Sequence, residues 1–597
     1  MSPAIIKFLA VSMTKWKTNM YLFHANGEIM IEAVLIKRGI FQGDSLSPLL
    51  FILAINPISL LLNRRTRGYT LDGMHITHVL YMDDLKTFSS SFESLKKMVL
   101  LVEKFTADIG MELGLKKCKI VNLQRGKYVK LGDIELESGG VIQELGQDEV
   151  YKYLGVEELD GLKHEDMKLK VWKDAKAKLR KLLESELNSR NLIVAINECI
   201  LPIISYSFGV LNWLESELKN LDIGVRKMMH MYKAFQIKSD VDRLYASRAC
   251  GGRGLTSVWD SFKSSMCRIS HVMANSSNTM LSHCCRIDRR GLFSVLKRAE
   301  KFESEVEMVV PEEFEKKDAL HQARIKADLC RKALQDRRLS AWREKSQHGA
   351  FLRLLMESNV DIKRSMGWLS KCHLNPRSEA YICAAQEMAL FTKFHEKHIL
   401  HTHEDDKCRV CKVEPETIFH ILAGCGILAK IDYLSRHNAV CKYIHFEILE
   451  AYSIPRGNNW YVHEPKEVVM GKSVEVIYDQ VLSTDRPVGA NRPDIVIRDM
   501  SKKRVWIIDV SCPCDTNVEK KEGEKVGKYA GLMGELQRMW GAECVVVPVV
   551  IGGLGTVTRR CADFLASIPG EPDVSMCQKI TLMGSERILR GVLARGR

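Results

Sequence analysis

The chain has no low-complexity tract, no detectable repeat period and no apolar run long enough to span a membrane. Its longest apolar stretch, Pro48 to Leu62, is interrupted by Asn56 and Pro57. It falls short of the roughly 20 residues a spanning helix needs, so it reads as a buried helix and no membrane partner is expected. The chain opens on amphipathic sequence without a leader of charged, apolar and small residues, and its 18 cysteines are scattered, so free thiols in a reducing compartment are expected. One more absence matters below: no Asp occurs before Asp44, and Glu28 and Glu32 are the only upstream carboxylates.

What is present is globular composition, with 46% hydrophobic and 27% charged residues among 597. At about 100–200 residues per domain, this length implies about three to five domains. The balance of 88 Lys+Arg against 74 Asp+Glu leaves +14, which favours a polyanionic partner whose counterions are released on binding. Texture divides the chain into four regions: residues 1–160 mix short strands with apolar helices, and 161–400 are helical and charged. Cys and His cluster over 401–445, and 465–597 read as a small α/β domain of β-branched runs around a Lys/Glu-rich helix.

In the first region, His78-Val79-Leu80 leads into Tyr81-Met82-Asp83-Asp84 and then Leu85-Lys86-Thr87-Phe88, a hairpin pattern with adjacent carboxylates at its turn. Adjacent carboxylates repel unless a cation neutralises them, and magnesium-assisted phosphoryl transfer needs such oxygen ligands. Alone, the motif reads as readily as a polar hairpin tip. Upstream lies Arg38-Gly39-Ile40-Phe41-Gln42-Gly43-Asp44-Ser45-Leu46-Ser47-Pro48, a glycine-bearing turn feeding a helix with Ser47 expected as N-cap and Pro48 in its first turn.

This pairing resembles the reverse transcriptases of LINE-type (non-LTR) retrotransposons, in which such a loop precedes the catalytic hairpin. The resemblance continues through Gly110 to Leu115 with Lys117, and through Tyr151-Lys152-Tyr153-Leu154-Gly155, which looks like a primer-grip hairpin. It implies that Asp83 binds catalytic metal, that Asp84 neighbours the metal or primer, and that Gln42 and Gly43 contact template and nucleotide. Lys117 would lie near the triphosphate, and Lys152 and Tyr153 would lie in the grip. Such enzymes carry another metal-binding aspartate upstream of the loop, and this chain has none, so the palm is expected to be partial and without polymerase activity of its own. A truncated chain and an incomplete gene model are both open.

The region after the palm is similar to the thumb of the same elements. Arg226, Lys227, Arg243, Arg248 and Arg253, beside what read as flexible glycines, would hold the phosphates of an RNA–DNA hybrid. A solvated charged face over a helical core is the plainer alternative.

Cys408-x2-Cys411-x8-His420-x4-Cys425 has the spacing of a closed tetrahedral zinc site, with His401, His403 and Cys441 near enough to compete as ligands. A CCHC zinc knuckle between thumb and nuclease is what the restriction-like-endonuclease group of these retrotransposons carries.

Finally, Arg492-Pro493-Asp494 opens one strand and Val505 to Val510 forms another, placing Asp494 and Asp509 where both can hold one magnesium ion. This resembles PD-(D/E)xK nucleases. The usual lysine position, two residues after the second acid, holds Ser511, and Lys525 and Lys528 on the following helix are the candidate replacements, with Tyr529 beside them.

The expected fold is therefore multidomain α+β: a partial right-hand polymerase palm, a helical thumb, a zinc knuckle and a C-terminal α/β nuclease. The resemblance implies Mg²⁺ and Zn²⁺ as cofactors, and retrotransposon RNA and a genomic DNA target as partners, with nucleotides joining them in the complete protein. It also implies nuclear action and leaves room for a homodimer. The rival expectation is a non-enzymatic nucleic-acid-binding remnant or co-opted protein.

Overall fold

In the computed structural model, residues 3–24, 27–36, 39, 40, 43, 45–147, 149–306, 308–357 and 359–595 are described. The chain divides into two compact units, Met1–Met167 and Lys168–Arg597.

The N-terminal unit begins with helix α1 (Pro3–Met13) and the antiparallel pair β1 (Lys17–His24) and β2 (Gly27–Leu35). Helices α2 (Ser47–Ile55) and α3 (Pro57–Arg65) follow end to end, and the cap of α2 is Leu46, whose side chain makes no capping bond. Ser47, expected as the cap, is instead the first helical residue, and Pro48 occupies the first turn as foreseen. By length and composition, Ser47–Arg65 is apolar enough to cross a membrane, which the shorter reading of this stretch had excluded. Only 22% of its most apolar window is buried, so the buried helix expected here is largely exposed along Leu49, Ile52, Leu53 and Leu60. Its inner face, Ile55, Ile58 and Leu62, packs against Met98, Val102 and Phe105 of α4 (Phe92–Asp108). The hairpin of β3 (His78–Tyr81) and β4 (Asp84–Thr87) adds Leu80 and Leu85 to this cluster. A second hairpin pairs β5 (Tyr151–Tyr153) with β6 (Val156–Glu158). Its turn needs positive φ at both central residues, Leu154 at 47° and Gly155 at 84°, a conformation that glycine adopts freely and leucine at a cost.

The C-terminal unit starts as a helical layer that includes α5 (Glu215–Met231), α6 (Val258–Asn275), α7 (Ala319–Glu344) and α8 (Pro376–Gln386), which is buried from Ser378 onward. It continues through the Cys/His loop into α9 (Leu434–Ala451) and a five-stranded sheet. In sheet order the strands are β7 (Val468–Met470), β8 (Val474–Tyr478), β9 (Ile495–Asp499), β10 (Arg504–Ser511) and β11 (Glu543–Val550). All neighbours are antiparallel except β10 and β11, which are parallel. The parallel pair needs a crossover, supplied by α10 (Val518–Lys528) and α11 (Ala530–Trp540), which interrupt at Tyr529 the single helix expected there.

The two-residue side-chain period sorts β10 between two layers. Val505 and Ile507 face α10 and α11 with Tyr529, Leu532 and Leu536, while Trp506, Ile508 and Val510 face the layer built from α9, α12 (Cys561–Ser567) and α13 (Val574–Leu593). Strands covered on both sides are near-continuously apolar, and each fully buried aliphatic side chain contributes about 1.5–3 kcal/mol.

The texture changes near residues 400, 445 and 465 do not separate compact units. One core joins Trp342, Phe351, Ala384, Cys408, Ile421, Leu554 and Ile588, so thumb-like helices, Cys/His loop and sheet share their packing.

Candidate active sites and metal centres

The β3–β4 hairpin turns at Met82 (φ 54°), leaving Asp83 and Asp84 exposed at its tip. Lys86, on β4, pairs with Glu158 of β6 and lies 5.2 Å from the Tyr153 ring centroid, so the grip-like hairpin adjoins the carboxylate hairpin. Burial first, and then the charge of nearby Asp84, push the Tyr153 phenol above its ordinary pKa. Lys117 and Lys152 are exposed. Gly43 adopts φ 89°, a left-handed backbone that glycine supplies without strain, and no atom of the described residues lies within 4 Å of where a Cβ would sit. Gln42 lies outside the described residues, as does Asp44.

The arginines expected to hold a nucleic-acid hybrid require a correction. Arg243 is 1% exposed and donates to the carbonyls of Gly251 (3.1 Å) and Cys383 (3.0 Å), and to Glu387 (3.2 Å). Arg253 donates to Glu379 at 2.9 Å, to Ser189 at 3.0 Å and to the Ala234 carbonyl at 2.7 Å. Arg248 grips the same Glu379 through two bonds of 2.9 Å. The glycines beside them are packed rather than flexible: a Cβ on Gly252 would stand 2.1 Å from the Ala246 carbonyl oxygen. The segment thus folds back and carries its arginines inward, because a buried carboxylate needs charged partners. They are spent on Glu379 and Glu387 and cannot also hold a phosphate. Arg226 donates to the Tyr245 hydroxyl at 2.8 Å, and Lys227 is exposed.

The Cys/His motif does assemble. The ligand atoms of Cys408, Cys411, His420 and Cys425 lie within 4.8 Å of one another, a cluster compatible with zinc. A tight turn presents the first two: the Cys408 N–H donates to the Glu414 carbonyl at 2.7 Å, and the Lys412 N–H donates to the Cys408 carbonyl at 2.8 Å. Buried Glu416 braces the turn by accepting from the Arg409 guanidinium (2.7 Å) and backbone N–H (2.7 Å), and from the Lys393 backbone N–H (2.9 Å). The Tyr433 hydroxyl is within hydrogen-bond distance of the His420 and Ile421 carbonyls and receives the Cys425 N–H at 3.0 Å, holding the segment that carries the other two ligands. Burial pushes the Cys408 thiol up to about 11, so a metal-free knuckle would hold it protonated near neutrality, whereas a bound ion requires the thiolate. Cys441, weighed as a competing ligand, lies instead beside Asp494 and His437.

The strand register explains the nuclease-like site. Ile495 pairs with Ile508, so the next residue on each strand brings Asp494 opposite Asp509 on one face. Asp509 is 2% exposed. Its Oδ1 accepts from the Tyr529 hydroxyl at 2.6 Å and lies 3.7 Å from the Lys528 ammonium. Its Oδ2 is buried against the Lys525 ammonium, which forms an ion pair with it. Lys528, more exposed than Lys525, donates to the Tyr529 hydroxyl at 2.8 Å. A buried carboxylate facing a second carboxylate across a strand pair offers the oxygen donors that a hard divalent cation takes.

Sequence reasoning missed His437. It lies near the start of α9 with Nε2 3.0 Å from Asp494 Oδ2. Burial alone would lower its pKa, but the Asp494 carboxylate outweighs burial and raises it. Nothing in the local run Arg436-His437-Asn438 signals this, because the partner lies 57 residues away.

Residues 4–157 match the family described as reverse transcriptase (RNA-dependent DNA polymerase). Over 130 residues, 20% of the chain, it is 28% identical to the retrovirus-related Pol polyprotein from type-1 retrotransposable element R2 of Nasonia vitripennis. Over 225 residues, 37% of the chain, it is 22% identical to the retrovirus-related Pol polyprotein from type-2 retrotransposable element R2DM of Drosophila melanogaster. These alignments span 12% and 21% of the two relatives, so the chain matches a minor part of each. The N-terminal unit thus matches the reverse transcriptase family over most of its length, and the C-terminal site stands on its own geometry.

Proposed function

We propose that the chain is part of a retrotransposon protein for target-primed reverse transcription, in which the C-terminal unit nicks DNA in the nucleus and the nick's 3′-hydroxyl primes copying of element RNA. The observation that carries the nuclease reading is the convergence of Asp494, just before β9, with Asp509 of β10 and Lys525 of α10. Asp494 and Asp509 would hold magnesium which, when bound, neutralises charge building on the scissile phosphate. Lys525, displaced from the strand position occupied by Ser511, would orient the attacking water and offset the phosphate's charge. Tyr529 pins Asp509 through the 2.6 Å hydrogen bond, fixing the carboxylate before substrate arrives. Water adds to phosphorus, the bond to the 3′-oxygen breaks, and that oxygen leaves with a proton as the priming hydroxyl. The four-ligand Cys/His cluster would hold structural zinc.

In this chain alone, the N-terminal domain would contribute template and primer contacts without extending DNA, because no Asp precedes Asp44 to complete a two-metal site with Asp83 and Asp84. The test is nicking of supercoiled plasmid with Mg²⁺ by the purified chain and by Asp509→Ala. Nicking lost in the variant supports the endonuclease, whereas DNA binding without nicking by either protein overturns it in favour of a binding remnant.

A further inference from the structure

The hydrogen bonds around His437 fix more than its location. Its Nε2 lies 3.0 Å from Asp494 Oδ2 and 3.1 Å from the Val510 carbonyl oxygen. Both are acceptors, so Nε2 must carry a hydrogen, and the neutral ring is then the Nε2–H tautomer. On the other side, Nδ1 lies 3.7 Å from the thiol of Cys441, one turn along α9, and 3.1 Å from Asn438 Oδ1. Cys441 is buried in the sheet-facing core, so the helix face beneath the imidazole is fixed by packing.

Asp494 Oδ2 also accepts the Val510 backbone N–H at 2.6 Å. One carboxylate oxygen is therefore held by two donors, one from α9 and one from β10, while no hydrogen bond reaches Oδ1 among the described residues. A carboxylate otherwise turns readily about its terminal torsion.

We propose that His437 is a positioning residue of the nuclease: it locks Asp494 so that Oδ1 is presented to the cation, and it does not itself touch cation or DNA. This rests on the nuclease reading in taking Asp494 for a metal ligand. Partners of this kind that orient a ligand typically change metal affinity or activity by about 10–100-fold when removed. The sequence position is also apt, because α9 packs on the face opposite α10, so the two acids are buttressed from both sides of the sheet.

The test measures Mn²⁺ affinity of the full chain by electron paramagnetic resonance, alongside the Mg²⁺ dependence of plasmid nicking. The proteins compared are the wild type, Asp494→Ala, His437→Leu and His437→Gln, each checked by thermal melting. Leu fills the space without donating, and Gln restores an N–H donor. The expected result is Mn²⁺ binding that depends on Asp494, weakened about 10–100-fold in His437→Leu and largely recovered in His437→Gln. The Mg²⁺ concentration for half-maximal nicking should shift in parallel, and the rate at saturating Mg²⁺ should change less.

Unchanged Mn²⁺ affinity in folded His437→Leu would overturn the proposal. Equal loss in both folded variants, with ¹⁴N coupling to bound Mn²⁺ in the wild type alone, would overturn it in favour of direct ligation. A wild type that binds Mn²⁺ through Asp494 yet never nicks would refute the nuclease reading, while the two His437 variants would still decide the positioning role.

Discussion

Asp83 and Asp84 are adjacent in sequence and stand exposed at a hairpin tip, whereas Asp494 and Asp509 are 15 residues apart and meet through strand register. Asp509 is 2% exposed, bonded to Tyr529 and paired with Lys525, and Asp494 is held by Val510 and His437. The first pair depends on what surrounds it to become a metal site, and the second is already arranged. A conspicuous motif and a prepared site are thus different things: adjacency in sequence is easily seen but orders nothing by itself, while preorganisation comes from partners that are distant in the chain.

The largest effect should come from striking the prepared pair. Asp509→Ala leaves Lys525 and Tyr529 without their acceptor and should lower the nicking rate by about 10³–10⁴-fold, on the scale seen for removal of one catalytic carboxylate. Asp83→Ala should leave nicking unchanged. In primer extension on an RNA template neither protein should incorporate nucleotide, and incorporation that Asp83→Ala abolishes would break the comparison by showing the exposed pair to be a working site.

Glu379 sharpens the same contrast through stability. Its carboxylate is 1% exposed and accepts from Arg248, Arg253 and Ser189. Burial raises its pKa, but the two guanidiniums more than offset this and hold the group below its ordinary value. Glu379→Gln leaves two buried or half-buried arginines uncompensated and should cost about 3–5 kcal/mol in chemical denaturation of the C-terminal unit. Asp83→Ala, at an exposed tip, should change stability by less than about 0.5 kcal/mol.

How much of this was legible follows from where each partner lies. The β-branched runs announced β9, β10 and β11 to within a residue or two, and the Cys/His cluster and the facing pair Asp494 and Asp509 were visible because each belongs to a short-range pattern. The inward turn of Arg243, Arg248 and Arg253 could not, since their carboxylates lie 126 to 144 residues away and a buried arginine looks like a surface one in sequence. His437 escaped for the same reason. The helical, Cys/His and α/β regions told apart by texture share a core, because packing does not follow composition boundaries.

Acid should strain the C-terminal unit at a second buried pair. His445 is 0% exposed and lies 2.8 Å from His463 through their Nδ1 and Nε2 atoms, with the Tyr478 ring edge-on at 5.4 Å. Burial, followed by the charge of His463, lowers the His445 pKa to about 4 from 6.5. The unfolded chain therefore takes up this proton near pH 6.5 and the native fold only near about 4. Between these values the unfolded state binds more protons, so stability is full above the window and falls as pH drops through it, by about 3 kcal/mol in all. Denaturation midpoints at pH 7.5, 6 and 5 should show the loss in the wild type and a flatter profile in His445→Phe; equal slopes would mean that the loss arises elsewhere.

The smallest effect concerns Lys227, the exposed member of the five cations expected to meet a nucleic-acid hybrid. With Arg243, Arg248 and Arg253 committed to internal carboxylates and Arg226 to Tyr245, Lys227 is the member of that set free to meet an RNA phosphate. A single phosphate contact contributes about 0.7 to the slope of log K against log salt for single strands. Lys227→Ala should therefore weaken RNA binding evenly across sequences and reduce that slope by roughly this amount. Arg253→Ala should instead act through unfolding of the unit. A reduced salt slope in folded Arg253→Ala, with an unchanged slope in Lys227→Ala, would reverse the assignment and place the nucleic-acid contact on the segment that the structure turns inward.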